Sequence, residues 1–164
     1  MTNYVDTLCP ACDVAVHAQV HSRQALMTVR GEKVFYTEQV AICPRCGKPI
    51  GDARLEKGNL DSAYAAYRAQ HDLVSAQEIK ELRSAYGLSL RDFGTFVGMG
   101  DQTLRRYELG DIPSEAHNNA FLLAKTPAGA QILLSQRRPK MSDRTIAKVR
   151  AWIAAGESTA LELA

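Results

Sequence analysis

GLSLRDFGTFVGMGDQTLRRYELG, residues 87–110, decides how this chain is read. Ser89-Leu-Arg-Asp92 sets a capping serine and an acidic residue at the start of a short helix. Leu90, Phe93 and Val97 form its apolar face, and Gly98 stops it. Gly98-Met99-Gly100 is a tight turn, after which Asp101 to Leu109 form a second short helix closed by Gly110. Helix, glycine turn, helix is the helix-turn-helix pattern. Gly94 falls within the first helix, where glycine costs about 1 kcal/mol relative to alanine. A residue without a side chain there lets the second helix cross closely, which gives the loss a purpose. Met99, Leu104 and Tyr107 are expected to face inward. Asp101, Gln102, Arg105, Arg106 and Glu108 are expected to face outward. Gln102 and Arg106 are four residues apart and share a face. Glutamine suits the edge of adenine, and arginine that of guanine, in the major groove. The plainer alternative is a helical bundle with solvated glutamine and arginine. Charge does not choose between the two, because residues 78–110 hold five basic and five acidic side chains.

Helical periodicity extends on both sides of this stretch. Upstream, Leu60, Ala63, Tyr64 and Tyr67 recur on one helical face through about His71. Ser75-Ala-Gln-Glu78 is a capping box for the next helix, with Ile79, Leu82 and Tyr86 inward and Gly87 as its stop. Downstream, Ser114 caps a helix carrying Ala120, Phe121 and Ala124. Thr126-Pro127 breaks it, and Ala130, Ile132, Leu133 and Leu134 lie in another. Ser142 starts a last helix with Ile146, Val149, Trp152 and Ile153 along one stripe, the pattern of a core or dimer contact. Trp152, the only tryptophan, is a candidate to bury into a partner. Arg144, Lys148 and Arg150 lie on the polar face of that helix, where a solvated face is the ordinary reading.

Before Gly51 the pattern changes to alternation. Val14, Val16, Ala18 and Val20 fall on one face of DVAVHAQV, and KVFYTEQVAI alternates similarly after a turn at Gly31. These strands separate two C-P-x-C units, LCPAC at 8–12 and ICPRCG at 42–47, which hold all four cysteines. Paired disulfides would suit a secreted chain, yet the start MTNYVDTL has neither the basic residues nor the apolar run of a signal peptide. Two thiolate pairs, each with two residues between, grip one tetrahedral ion from two sides. Four thiolates with no open position describe a structural zinc site with Cys9, Cys12, Cys43 and Cys46 as ligands. Iron in a rubredoxin-type site uses two similar knuckles. Here the first, CPACD, lacks the glycine of the second, CPRCG, and the rubredoxin aromatic cluster is missing. His17 and His21 read as exposed strand histidines, since four thiolates fill the shell. The segment has little apolar mass, so the metal is expected to supply much of its folding free energy.

The expected fold class is α+β: a small zinc-ribbon-like β-sheet domain over residues 1–50, a linker at 51–58 (GDARLEKG), an all-α helix-turn-helix domain at 59–138 and a helical C-terminal tail at 139–164. No apolar run is long enough to span a membrane, and a cytoplasmic protein is expected. Net charge is +2, too small to announce nucleic-acid binding by itself, but residues 137–150 carry six basic side chains and one acidic. There is no P-loop, no G-x-G-x-x-G and no nucleophile–base pair, so the chain reads as a non-enzyme.

GLSLRDFGTFVGMGDQTLRRYELGDIPS resembles the phage-repressor (Xre-type) helix-turn-helix, whose second helix ends in an aromatic or aliphatic residue, Glu, a variable residue and Gly. Here that ending is Tyr107-Glu108-Leu109-Gly110. The combination is more specific. The two C-P-x-C units, LDSAYAAYRAQH, EIKELRSAYGLSLRDFG and RRYELG together resemble the MqsA-type (YgiT zinc-finger) antitoxins and their mobile-element relatives, over about residues 5–138. The resemblance implies a repressor that dimerises through its helical half and binds double-stranded operator DNA. It also implies a cognate toxin, often a ribonuclease, held by the zinc half. The family's base readers, a polar residue and an arginine four later, fall by position on Gln102 and Arg106. The candidate DNA-binding residues are thus Ser89, Asp101, Gln102, Thr103, Arg105 and Arg106. The expected function is that of a type II antitoxin, which neutralises its toxin and represses its own operon as a homodimer. Two alternatives stand: a phage or mobile-element repressor with a structural zinc site and no toxin, and a zinc-dependent scaffold that binds protein only.

Overall fold

The computed structural model describes residues 3–162, with side chains through residue 156. It is an α+β chain in two compact units, Met1–His71 and Asp72–Ala164.

The first unit holds four strands: β1 (Asn3–Cys9), β2 (Val14–Val29), β3 (Glu32–Ile42) and β4 (Pro49–Ile50), antiparallel in the order β1-β2-β3-β4. The expected alternation is present, with Val16 and Ala18 buried beside Val5, Ala41, Ile50 and two of the cysteines. The sheet is larger than the periodicity suggested. β1 is an additional strand, and β2 continues to Val29, which pairs with Glu32 across the two residues Arg30 and Gly31. Both turn residues have positive φ, 51° and 87°, the backbone of a type I′ hairpin turn that matches the twist of its strands.

Residues 51–58 are not a linker. Asp52 caps α1 (Ala53–Gln70), its carboxylate accepting from the Arg54 N–H at 3.0 Å. The Arg54 side chain bonds the same carboxylate and holds Asp52 down to about 2. Leu55 packs against the cysteine-bearing core. α1 then packs along β3, so the helix expected to open the second domain belongs to the first unit. Of its expected inward stripe, Ala63 and Tyr67 are buried and Tyr64 is half-buried, while the first position departs. Leu60 is exposed, and Asn59 is buried in its place. The Asn59 side chain accepts from the Gln39 N–H at 2.7 Å and donates to the Gln39 carbonyl at 2.9 Å. It satisfies both backbone groups of a residue on the β3 edge, which a leucine cannot do.

The second unit holds α2 (Ala76–Ala85), α3 (Leu90–Val97), α4 (Asp101–Glu108), α5 (Glu115–Ala124), α6 (Pro127–Arg137), a 3-10 turn (Arg138–Lys140) and α7 (Asp143–Glu162). The Ser75 capping box forms, with Ser75 N–H to the Glu78 carboxylate at 2.8 Å and Glu78 N–H to the Ser75 hydroxyl at 3.2 Å. Phe93, Phe96, Phe121, Ile79 and Leu104 are buried at the centre. The Tyr86 hydroxyl donates to the Ala124 carbonyl at 2.7 Å, and burial pushes its pKa up. Residues 139–164 are not a separate tail. Ile146, Val149 and Ile153 of α7 complete this core. Trp152 stacks on Tyr86 with ring centroids 4.3 Å apart, so its partner lies within its own unit. Residues 163–164 and the side chains from 157 onward lie outside the described residues.

Candidate metal centre and nucleic-acid interface

The two C-P-x-C units fold into matching knuckles. Asp13 N–H bonds the Cys9 carbonyl at 2.8 Å, and Gly47 N–H bonds the Cys43 carbonyl at 2.9 Å. Asp13 and Gly47 both take positive φ, 53° and 69°. The first knuckle therefore makes the second one's turn without a glycine, because aspartate tolerates the left-handed region better than most residues.

These turns bring Cys9, Cys12, Cys43 and Cys46 together, with all four sulfurs within 4.8 Å of one another. A tetrahedral four-thiolate zinc shell with Zn–S of about 2.3 Å has S···S edges of about 3.8 Å. The Cys9 and Cys46 sulfurs are 3.8 Å apart. That spacing is far wider than a disulfide of about 2.05 Å, and the four cysteines are free thiols. Cys9 and Cys43 are buried, Cys12 is half-buried and Cys46 is exposed. The backbone N–H of Cys46, helped by that of Arg45, holds the Cys43 thiol down to about 6, while hydrogen bonding to Cys46 and burial push Cys12 up to about 12. Four thiols in one shell share protons unevenly, and binding a divalent cation displaces them. The donor set fits one metal ion. His17 and His21 stay outside the cluster: His17 stacks on Tyr4 and bonds Asp6 at 2.7 Å on the exposed side of β1 and β2.

The second candidate site is built on α3, its turn and α4. Gly98 and Met99 both donate their N–H to the Gly94 carbonyl, at 2.9 and 2.8 Å, which folds the turn back over Gly94. A Cβ on Gly94 would stand 2.9 Å from the Met99 carbonyl oxygen and 3.5 Å from the Asp101 nitrogen. The absent side chain is what permits the crossing, as the sequence suggested. Leu104 and Tyr107 are buried and Met99 packs beside them. Phe96, absent from the expected apolar face, is fully buried too.

On the outer face of α4, Asp101, Gln102, Arg105 and Arg106 are exposed and Thr103 is half-buried. Arg106 Nε donates to Asp111 at 2.7 Å in an exposed pair. The Asp101 carboxylate accepts from the Gln102 N–H at 2.8 Å. Ser89 caps α3: its hydroxyl accepts from the Asp92 N–H at 3.1 Å and donates to the Asp92 carboxylate at 2.7 Å. Glu108 departs from expectation. It is buried, and Arg83 of α2 grips it through Nε and Nη2 at 2.6 and 3.1 Å. The partner lies 25 residues away, beyond the reach of a helical-face argument. The bond ties α4 to α2 and fixes the angle at which the outer face is presented.

No protein-family model and no curated protein matches the chain.

Proposed function

We propose that the chain is a zinc-stabilised, DNA-binding antitoxin. Its second unit addresses operator DNA as a homodimer and represses its own promoter, and its first unit holds a toxin partner. One observation carries the DNA-binding part: Gln102, Arg105 and Arg106 stand together on the exposed face of a short helix whose angle is set by Gly94 and by the Arg83–Glu108 pair. α4 then enters the major groove while α3 crosses the backbone. Gln102 and Arg106 face base edges, Arg105 and Thr103 the flanking phosphates, and Ser89 and Asp101 the groove margin. A single short helix covers few base pairs, so two copies read half-sites about 34–36 Å apart. Leu122, Leu123 and Ile132 are exposed on α5 and α6 and supply apolar area for such a dimer to cover. Zinc is the metal because four thiolates with no open position are its structural arrangement. The toxin-binding role rests on the family resemblance and on the outer edge of β1, which pairs with no further strand among the described residues, since strand edges dock partners.

The test is a gel shift with the DNA upstream of the chain's own reading frame. Arg106→Ala is expected to cost about 1–3 kcal/mol and to relax one position of the site. If Gln102→Ala and Arg106→Ala both leave affinity and preference intact, the assignment of α4 is wrong. A small toxic protein encoded alongside, neutralised on co-expression, supports the antitoxin role, and its absence favours a repressor without a toxin.

A further inference from the structure

Three adjoining clefts run along α3 where the connection from α6 to α7 passes it. The largest, about 480 Å³, lies between Ser89, Arg91, Asp92 and Thr95 of the α3 segment and Lys140, Ser142 and Thr145. A second, of about 270 Å³, is lined by Thr95, the Gly98–Gly100 turn, Arg137 and Lys140. The third, of about 210 Å³, adds Arg144 and Lys148 beside Ser89 and Asp92. Five cationic side chains line the three clefts: Arg91, Arg137, Lys140, Arg144 and Lys148. One carboxylate does, Asp92, and it is bonded to Ser89. The whole chain has a net charge of only +2, so five cations to one carboxylate is a local concentration. Two of the five have fixed positions. Lys148 donates to the Gly87 carbonyl. The Arg137 guanidinium lies over Gly98, so close that a Cβ there would clash with its Nη2, and its Nε is buried with no acceptor among the described residues.

We propose that these clefts hold backbone phosphates of double-stranded DNA, so that the α6–α7 connection and the start of α7 act as a clamp beside α4. The inference rests on the reading of α3 and α4 as a DNA-binding pair and extends it to residues outside that pair. The first helix of such a pair crosses the sugar–phosphate backbone, and the clefts lie along its N-terminal half and its turn. Phosphate contacts set register and orientation without reading sequence. Grooves of one charge sign, walled by protein, concentrate counter-charge. The basic stretch at 137–150 thereby acquires a role, because the fold lays its first half against the α3 turn.

The experiment measures operator and unrelated duplex binding by the full chain over a series of salt concentrations. Lys140→Ala with Arg144→Ala is compared with wild type and with Arg106→Ala. Both mutated side chains are exposed, and a thermal melt verifies the fold. Each lost phosphate contact should flatten the log–log salt slope by about 0.9, so the double variant should lose about 1.8 from it. Its affinity should fall alike for both duplexes, with the preference for operator retained. The charge-keeping pair Lys140→Arg with Arg144→Lys should restore the slope. A wild-type slope in the double alanine variant overturns the clamp, as does failure of the charge-keeping pair to restore it. Loss of operator preference in Arg106→Ala, seen alongside either result, leaves the α4 reading standing. A wild-type chain that binds neither duplex overturns both.

Discussion

Glu108→Ala offers the sharpest test of how α4 is held. Arg83 meets Glu108 with two bonds and spends its remaining Nη1 on the Leu88 carbonyl at 3.2 Å, so the guanidinium has no spare acceptor when the carboxylate is removed. The Glu108 side chain is 8% exposed and that of Arg83 23%. Removing one partner of a buried ion pair costs about 3–5 kcal/mol, because the other charge stays desolvated. Arg83 keeps enough water to place the loss at the lower end, about 3 kcal/mol. In a unit of this size each kcal/mol is worth about 4–8 °C, so the second unit should melt about 12–24 °C earlier. Trp152 fluorescence reports that unit alone, since the only tryptophan stacks on Tyr86 within it. Arg83→Ala should cost a comparable amount, and the double variant much less than the sum, with a coupling of about 2 kcal/mol. Operator affinity should fall in all three even well below the melt, because the helix loses its tether. A Glu108→Ala melt within about 4 °C of wild type, or strict additivity in the cycle, would refute the reasoning.

Gly94→Ala should destabilise the second unit by about 1 kcal/mol, overpacking of about 1–3 kcal/mol outweighing about 1 kcal/mol of helix propensity. A more stable alanine variant in urea denaturation would show that the turn has room. Elemental analysis of reduced protein should find one zinc per chain, and chelation or Cys43→Ser should abolish the β-sheet circular dichroism of the first unit while leaving the Trp152 melt in place; iron, or no metal, would sink the zinc assignment. Lys125, with help from the Ser75 N–H, holds Glu78 at about 2, below its ordinary 4.5. The stability it adds is therefore present above 4.5 and lost as pH falls toward about 2. With both side chains partly exposed the amount is about 1 kcal/mol, and acid titration of Glu78→Gln should lack that part of the loss.

The signals that could be read in the sequence were local. Cysteine spacing located the four-sulfur cluster. The Ser75, Ser89 and Ser114 caps located helix starts to within a residue. Gly94 was legible because a mid-helix glycine is unfavourable unless something passes close by. What escaped was decided by partners distant in sequence. Leu60 looked like the inward residue of α1 by hydrophobicity, yet Asn59 took the place because an amide can pair with both backbone groups of Gln39. Glu108 looked like a surface residue until Arg83 was folded against it. Residues 139–164 looked detachable because the stripe of Ile146, Val149 and Ile153 does not announce which core it completes.

The two knuckles show the same limit on a smaller scale. A count of glycines sets CPACD apart from CPRCG and makes the two knuckles look dissimilar. The requirement, however, is a positive φ four residues after the first cysteine of each pair, not a glycine. Asp13 meets it at 53° and Gly47 at 69°, with the same N–H to carbonyl bond closing each turn. The difference in residue type then becomes a difference in energy rather than in geometry. Aspartate in the left-handed region carries some strain that glycine does not, and Asp13→Gly should therefore leave the sulfur cluster in place while relaxing the first knuckle.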